Sequence, residues 1–124
     1  MIEADLVADL KANAGTTKIY LDKAPQAAQP PYVVIQQVGK TPEYDFDGVN
    51  GLKAERFEIA SYGSSALAAL TLSNTIEARY SGQSYAWSST NVQGAFVASS
   101  TSGEDDLTGY FVRQIDIRFH FSDT

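Results

Sequence analysis

Three residues of this 124-residue chain, Ser84, Asp105 and His120, follow the chain order of a serine-hydrolase triad. In such a triad the histidine takes the proton of the serine hydroxyl, and the acid orients the histidine. The serine needs a sharp turn with a glycine on either side, but the run 82–86, Gly-Gln-Ser-Tyr-Ala, has only the first glycine. The chain is also too short for that fold, so the order of the three residues does not predict a hydrolase.

A second candidate is a phosphate site at the run 38–41, Val-Gly-Lys-Thr, which ends like a phosphate-binding loop. That loop needs another glycine five residues before position 39, where Val34 stands. A helix should follow the loop, whereas Pro42 and Gly48 follow here. The run is better explained as the end of a strand that enters a loop, and we expect neither ATPase chemistry nor a cofactor.

A metal site is equally incomplete. The segment 45–50, Asp-Phe-Asp-Gly-Val-Asn, begins like a calcium loop, but Asn50 stands where an EF-hand has glycine and Arg56 where it has a bidentate glutamate. His120 is the only histidine and the chain has no cysteine, so a transition-metal site lacks ligands and a disulfide scaffold is excluded. We therefore expect no metal centre and no enzyme.

The chain is acidic, with 15 Asp and Glu against 9 Lys and Arg and a net charge of −6. Specific binding of DNA or RNA is not expected, because that binding draws much of its affinity from clustered basic residues that release counterions. The longest apolar runs, such as 32–35, are too short to span a bilayer, and the N-terminus has no export signal. With 44% hydrophobic residues, the chain can build one core, which predicts a single domain over 1–124.

Two helices are predicted from apolar residues that recur at helical spacing. The first covers 2–13, and the second covers about 65–80, with its N-cap in the segment 63–65. Glycines at 15 and 82 follow the two helices, as is typical of helix ends. The predicted buried stripes are Ile2, Leu6, Val7 and Leu10 in the first helix, and Ala69, Leu72, Ile76 and Tyr80 in the second.

Alternating and β-branched residues predict five strands, of which the first two pair as a hairpin. The predicted strands are 32–38, 56–62, 85–87, 94–98 and 110–121. The glycine-rich segment at about 39–55 is predicted to be a long mobile loop, and a polar loop is expected to begin at Ser99. The order of elements predicts an α+β fold, in which a mainly antiparallel β-sheet packs against two α-helices.

Several segments in this order resemble a family of long-tailed bacteriophage proteins, variously called tail completion, tail terminator or head-to-tail joining proteins. The run 30–38, Pro-Pro-Tyr-Val-Val-Ile-Gln-Gln-Val, follows a short N-terminal helix, as in that family. After the Gly/Asp-rich loop comes a strand at 56–63 that begins with a basic residue and leads into the helix at 66–80. The run 113–119, Arg-Gln-Ile-Asp-Ile-Arg-Phe, is similar to the closing strand of the family.

The resemblance implies a structural virion protein, assembled in the bacterial host and placed at the junction of tail and head. It implies a homo-oligomeric ring, a hexamer, that ends polymerisation of the tail tube and joins the tail to the head connector. The implied partners are further copies of the chain, the tail tube protein and a head connector or head completion protein. The alternatives are another neck or minor tail protein of the same fold, or a small module that binds a protein or ligand.

Residues 40–54 are predicted to be an arm that becomes ordered in the assembly, because they carry apolar side chains that a solvent loop does not need. Tyr44, Asp45, Phe46 and Asp47 are the candidate binding residues of this arm.

The final strand supplies two more candidates, Phe119 and Phe121. At twelve residues it would extend roughly 40 Å, whereas a domain of this length is roughly 35 Å across. Either the two rings pack on a neighbouring subunit, or the strand bends at a bulge near Arg113. A third alternative is a strand that crosses the sheet of its own subunit, with both rings in the core.

Overall fold

Both predicted helices and all five predicted strands form in the expected order, and a sixth strand that was not predicted lies at Ile19–Leu21. A computed structural model describes residues 2–25, 27–41, 53–104 and 109–123. Its elements are α1 (Ile2–Asn13), β1 (Ile19–Leu21), β2 (Tyr32–Thr41), β3 (Lys53–Gly63), α2 (Ala66–Tyr80), β4 (Tyr85–Ala86), β5 (Thr90–Glu104) and β6 (Phe111–Asp123).

Both helices form where predicted and bury the predicted stripes. In α1, Ile2, Leu6 and Leu10 are buried, and Val7 packs at the margin of the core. Helix α2 begins after Ser65, whose hydroxyl accepts a hydrogen bond from the Ala68 amide at 3.1 Å and so caps the helix. Its buried residues include all four of the predicted stripe, Ala69, Leu72, Ile76 and Tyr80.

The strands form one sheet in the order β1-β2-β3-β6-β5-β4. All neighbours are antiparallel except β1 and β2, which run parallel. Strands β2 and β3 pair as the predicted hairpin, and β3 pairs with β6 along its whole length, from Lys53 opposite Phe121 to Gly63 opposite Phe111. The fold is therefore α+β with a mainly antiparallel sheet, as predicted.

Several strand boundaries differ from the prediction, and β5 begins at Thr90, four residues before its predicted start at 94. Strand β2 continues to Thr41 and β3 begins at Lys53, so both reach into the segment 39–55 that was expected to be a loop. Strand β5 runs unbroken to Glu104, whereas a polar loop was expected from Ser99. Serine and threonine give little strand signal by themselves, but β6 offers a pairing partner beside them, from Asp116 opposite Ser99 to Phe111 opposite Glu104.

The hydrophobic core lies between the two helices and one face of the sheet. Side chains from α1, α2 and five strands meet there, and several of the largest are fully buried, among them Phe57, Tyr80 and Phe119. Gly63 lets the end of β3 approach α2 closely, because a Cβ at that position would lie 2.5 Å from the backbone nitrogen of Ala69. The core thus fixes the sheet against both helices, and no described helix packs on its other face.

Candidate assembly surface

Of the three residues considered for catalysis, the structure describes Ser84 and His120. Ser84 is exposed in the segment before β4, and Asp105 lies outside the described residues. His120 packs edge-on against Phe96, with the two ring centroids 5.6 Å apart. Across the described ranges, no cluster of three or more His, Asp and Glu side chains is placed to hold a metal ion. In the same ranges, no helix has the length and apolar character to cross a membrane.

The candidate binding residues fall into two groups. Tyr44, Asp45, Phe46 and Asp47 lie outside the described residues. Phe119 and Phe121 are 0% and 2% exposed and pack in the core of their own subunit. Strand β6 crosses the sheet and pairs on both sides within the chain, which is the third of the alternatives considered for it. The burial of these two phenylalanines therefore corrects the expectation that they contact a neighbouring subunit.

The face of the sheet opposite the helices, here called the free face, is polar at its centre. Residues along β3 alternate between buried and half-buried, and the half-buried set includes Arg56, Glu58 and Ala60. On the neighbouring strand β6, Asp116 is half-buried and Arg118 exposed on the same face. One solvated face is common in antiparallel sheets, but here the solvated face carries an ordered set of charges.

These charges lie in rows of equal sign. Arg56 stands directly opposite Arg118, and Glu58 directly opposite Asp116. Like charges directly opposite each other destabilise a sheet, so the rows must be compensated diagonally. Arg56 forms an ion pair with Asp116, with Nε 3.2 Å from Oδ1, and Gln114 donates a hydrogen bond of 2.8 Å to Glu58. No ion pair involves Arg118 within the described residues, which leaves a cation at the surface of the free face.

An exposed aromatic ring stands beside that cation. Phe96 of β5 lies directly opposite Arg118, and its side chain is 53% exposed although it is large and apolar. Its ring folds back over Gly94, where a Cβ would lie 3.0 Å from the ring. Together with His120, these residues form an aromatic and basic patch, a composition that is enriched where proteins bind each other.

The two margins of the sheet are each only partly paired. The outer side of β5 pairs with β4 at Asn91 and Val92, and hydrogen bonds link Ala95 to Gly82 and Gln83. Beyond Ala95, none of the described strands pairs with this side, so 96–104 is open. On the opposite margin, β1 covers β2 only at 33–35, and 36–41 is open among the described residues. We call these two stretches the β5 edge and the β2 edge.

Two shallow grooves also lie on the subunit. One, of about 590 Å³, lies between the first turn of α2, with Leu67 at its rim, and Phe111 and Val112 of β6. The other, of about 920 Å³, lies between Val7 of α1 and Leu21 of β1. Leu67 and Leu21 are two of the four large apolar side chains that are exposed in the described part of the chain; the other two are Val38 and Phe96.

Polar side chains fasten α1 to α2. Arg79 donates two hydrogen bonds to Asp9, from Nη2 to Oδ1 at 2.7 Å and from Nε to Oδ2 at 3.2 Å, and the Tyr80 hydroxyl donates a third of 2.6 Å to Oδ2. The hydrogen bonds to Asp9 raise the pKa of Arg79. Burial, and then the bond to Asp9, raise the pKa of Tyr80 far above its ordinary value. Three hydrogen bonds to one carboxylate thus join the two helices, which is a structural role.

A second carboxylate of α1 holds the turn before β5. Asp5 accepts hydrogen bonds from the Ser88 hydroxyl at 3.1 Å, the Ser89 hydroxyl at 2.7 Å and the Ser89 amide at 3.2 Å. Burial by itself would raise the pKa of Asp5, but hydrogen bonds from Ser88, Ser89 and Thr90 outweigh it, and the pKa lies below the ordinary value of 3.8. Helix α1 therefore anchors the strand that carries the β5 edge.

Comparison with protein families identifies the family of this chain. The profile of the family described as "Tail completion protein gp17" matches residues 4–122, nearly the whole chain. The chain belongs to this family. It is thus a structural protein of a phage tail and a component of the virion, as the resemblance implied. No curated protein matches the chain.

The fold of this tail completion protein recurs in a solved particle. A chain in the structure titled "Virion of native gene transfer agent (GTA) particle" superposes with a TM-score of 0.66. The match covers 99% of this chain and 92% of that one, at 13% sequence identity. At that identity the likeness concerns the fold.

The surface features of this tail completion protein were not predicted from its sequence. The charge rows depend on which residues of β3 and β6 stand opposite each other, and that register is not visible in either strand alone. The β5 edge lies in a serine-rich run that was expected to be a loop. A usable signal was Phe96, an aromatic residue two positions after a glycine and close to small polar residues.

Proposed function

We propose that this tail completion protein forms a ring, a hexamer, at the head-proximal end of the tail. The ring ends polymerisation of the tail tube and provides the surface to which the head connector or a head completion protein docks. Its partners are further copies of itself, the tail tube protein and the connector. The observation that carries the proposal is the family match across residues 4–122.

The surface of the subunit supports an assembly role. The free face carries a patch of Phe96, Arg118 and His120, and both margins of the sheet have stretches that none of the described strands pairs with. A monomer that works alone gains nothing from an aromatic ring 53% exposed or from unpaired strand edges, which are usually covered or blocked. These features are useful when other subunits cover them.

Deleting the gene of this protein from its own phage tests the proposal. We expect producing cells to accumulate tails of irregular, excessive length that carry no heads, together with filled heads that lack tails. Electron microscopy of the lysate gives the distribution of tail lengths, and the protein supplied from a plasmid should restore both length and joining.

Two other results would redirect the proposal. Tails of normal length without heads would mean a neck protein that joins but does not terminate the tube. Complete infectious particles would mean that the protein is dispensable for assembly, which would favour a binding module. The two roles of the proposal, termination and joining, are thus measured separately.

A further inference from the structure

We infer that neighbouring copies of this chain join edge to edge, with the β2 edge of one subunit pairing antiparallel with the β5 edge of the next. The inference rests on the proposed ring and specifies the contact that builds it. It is based on two stretches, 36–41 and 96–104, on opposite margins of the sheet, that have no partner on the outer side among the described strands.

Each open stretch presents backbone N–H and C=O groups that lack a strand partner on that side within the described residues. Groups of this kind are a template for another strand. The shorter stretch, 36–41, has six residues, and pairing all of them gives roughly six hydrogen bonds, about one for each residue. This is enough to define how two subunits are oriented, because a slip by one residue would reverse the facing of every side chain.

The strand directions fit a ring. Each step in the order β2-β3-β6-β5 is antiparallel, so β2 and β5 run in opposite directions in one subunit. Rotation about a ring axis keeps the up or down sense of each strand along that axis. The β5 edge therefore meets the β2 edge of the next subunit antiparallel, and because two different edges meet, the contact repeats from copy to copy.

The two edges are offset along the strands, because 36–41 lies level with 94–99 whereas the β5 edge extends to 104. Thr41 is at the end where β3 begins and β6 finishes, whereas Glu104 is opposite Phe111, at the end where β6 begins. Joining them displaces each subunit along the strand direction relative to its neighbour. Strands that close into a ring must tilt and shift in this way, whereas a flat, unshifted sheet would not close.

The side chains of the two edges favour pairing. Between 96 and 104 there is no proline, lysine or arginine, the residues that commonly block an edge, and Ala98, Ser100, Thr101 and Ser102 are small. The exposed apolar side chains Val38, 39% exposed, and Phe96 lie on these two stretches. Pairing would cover both.

Register irregularities at 37/39 in β2 and at 97/99 in β5 supply the competing explanation. A β-bulge can turn an edge away from other strands and keep it single, and it can also bend a strand that follows a curved surface. The two explanations predict opposite results for cross-linking between subunits.

Cysteine cross-linking tests the contact directly, because the chain has no cysteine of its own. We would pair Gln36→Cys with Thr101→Cys or, two residues further, with Gly103→Cys; all three positions belong to the free face. Within one subunit β2 and β5 are three strand spacings apart, roughly 14 Å, which is too far for a disulfide. Any disulfide must therefore link two copies.

We expect oxidation of at least one pair to give a ladder of covalent oligomers that ends at the ring size. The matched control joins Gln36→Cys with Asn74→Cys, an exposed position on α2, and should give no ladder. A second test adds charge to the β5 edge through Ser100→Lys with Ser102→Lys. This variant should weaken ring association at least about tenfold in sedimentation, since like or unpaired charges at a contact oppose it.

The charge control is Asn74→Lys with Ala78→Lys, which adds the same two charges to exposed positions of α2. It should leave association unchanged, and both lysine variants should keep the melting temperature of the monomer. A ring that resists the edge lysines, or cysteine pairs that never cross-link, overturns the edge contact and leaves the proposed function standing. Normal tails after removal of the protein from its phage would overturn the ring itself, whatever the cross-links show.

Discussion

The two faces of the sheet differ in polarity and in how much of each is buried. The face covered by α1 and α2 is apolar, with Ile115, Ile117 and Phe119 all fully buried along one strand. The free face sets Arg56 opposite Arg118 and Glu58 opposite Asp116, an arrangement that contributes little to stability and must be compensated diagonally. One face of the sheet therefore determines whether the subunit folds, while the other is available to determine what the subunit contacts.

The largest effect that separates the two faces should come from two phenylalanines. Phe119→Ala removes a ring that is 0% exposed and should lower the free energy of unfolding by about 3–5 kcal/mol. Phe96→Ala, on the free face, should change it by less than about 0.5 kcal/mol, because that ring is 53% exposed. Urea unfolding of both variants gives the two values.

The same pair of variants also addresses assembly. Phe96→Ala should impair tail joining although the monomer remains stable. Equal destabilisation by the two substitutions would contradict the distinction between a stability face and a contact face.

The next largest effect should come from the polar contact between the helices. Asp9→Ala leaves Arg79 and the Tyr80 hydroxyl without their partner, and should destabilise the protein by about 2–3 kcal/mol. Tyr80→Phe removes only the hydroxyl and should cost about 1 kcal/mol. The control is Glu3→Ala, which removes an acid from the same helix at a small cost of about 0.5 kcal/mol. Thermal unfolding would contradict this ranking if Asp9→Ala and Glu3→Ala gave the same melting temperature.

A smaller effect is expected from residues 42–53, which are the connection between β2 and β3 together with Lys53, the first residue of β3. We would replace them by Asn-Gly, a two-residue turn that keeps Thr41 opposite Ala54. If the arm predicted at 40–54 serves assembly, this shorter connection should stabilise the monomer by about 1–2 kcal/mol and abolish tail joining. Joining is measured by electron microscopy of complemented lysates, and a loss of cooperative unfolding would mean that the segment is part of the core.

The smallest effect should come from the ion pair of Arg56 and Asp116. Arg56→Gln, Asp116→Asn and the double variant form a cycle whose coupling energy should be about 0.5 kcal/mol and should fall in high salt. A coupling above about 2 kcal/mol would show that the free face also determines stability, and would remove the contrast with the covered face.

The covered face could be predicted from the sequence because alternation in β6 and helical spacing in α1 and α2 are each visible within one element. Phe119 and Phe121 were harder to place, since alternation shows which face a ring occupies but not whether that face is covered. The charge rows and the two edges could not be predicted, because they depend on pairing between strands that are distant in the chain. The length of strand β5 was underestimated for the same reason. Its serines belong to a strand because β6 pairs with them.

The composition of the β5 edge also bears on how the protein survives before it assembles. A newly made subunit carries an unpaired strand margin in a crowded cell, and unpaired margins rich in Val and Ile nucleate amyloid-like stacking. Beyond Phe96 and Val97 this margin reads Ala-Ser-Ser-Thr-Ser-Gly over 98–103, a run that can pair through its backbone but has little apolar surface to make a chance encounter persist. Synthesis and assembly can thus be separated in time, and the strand waits for a partner of matching geometry without aggregating first.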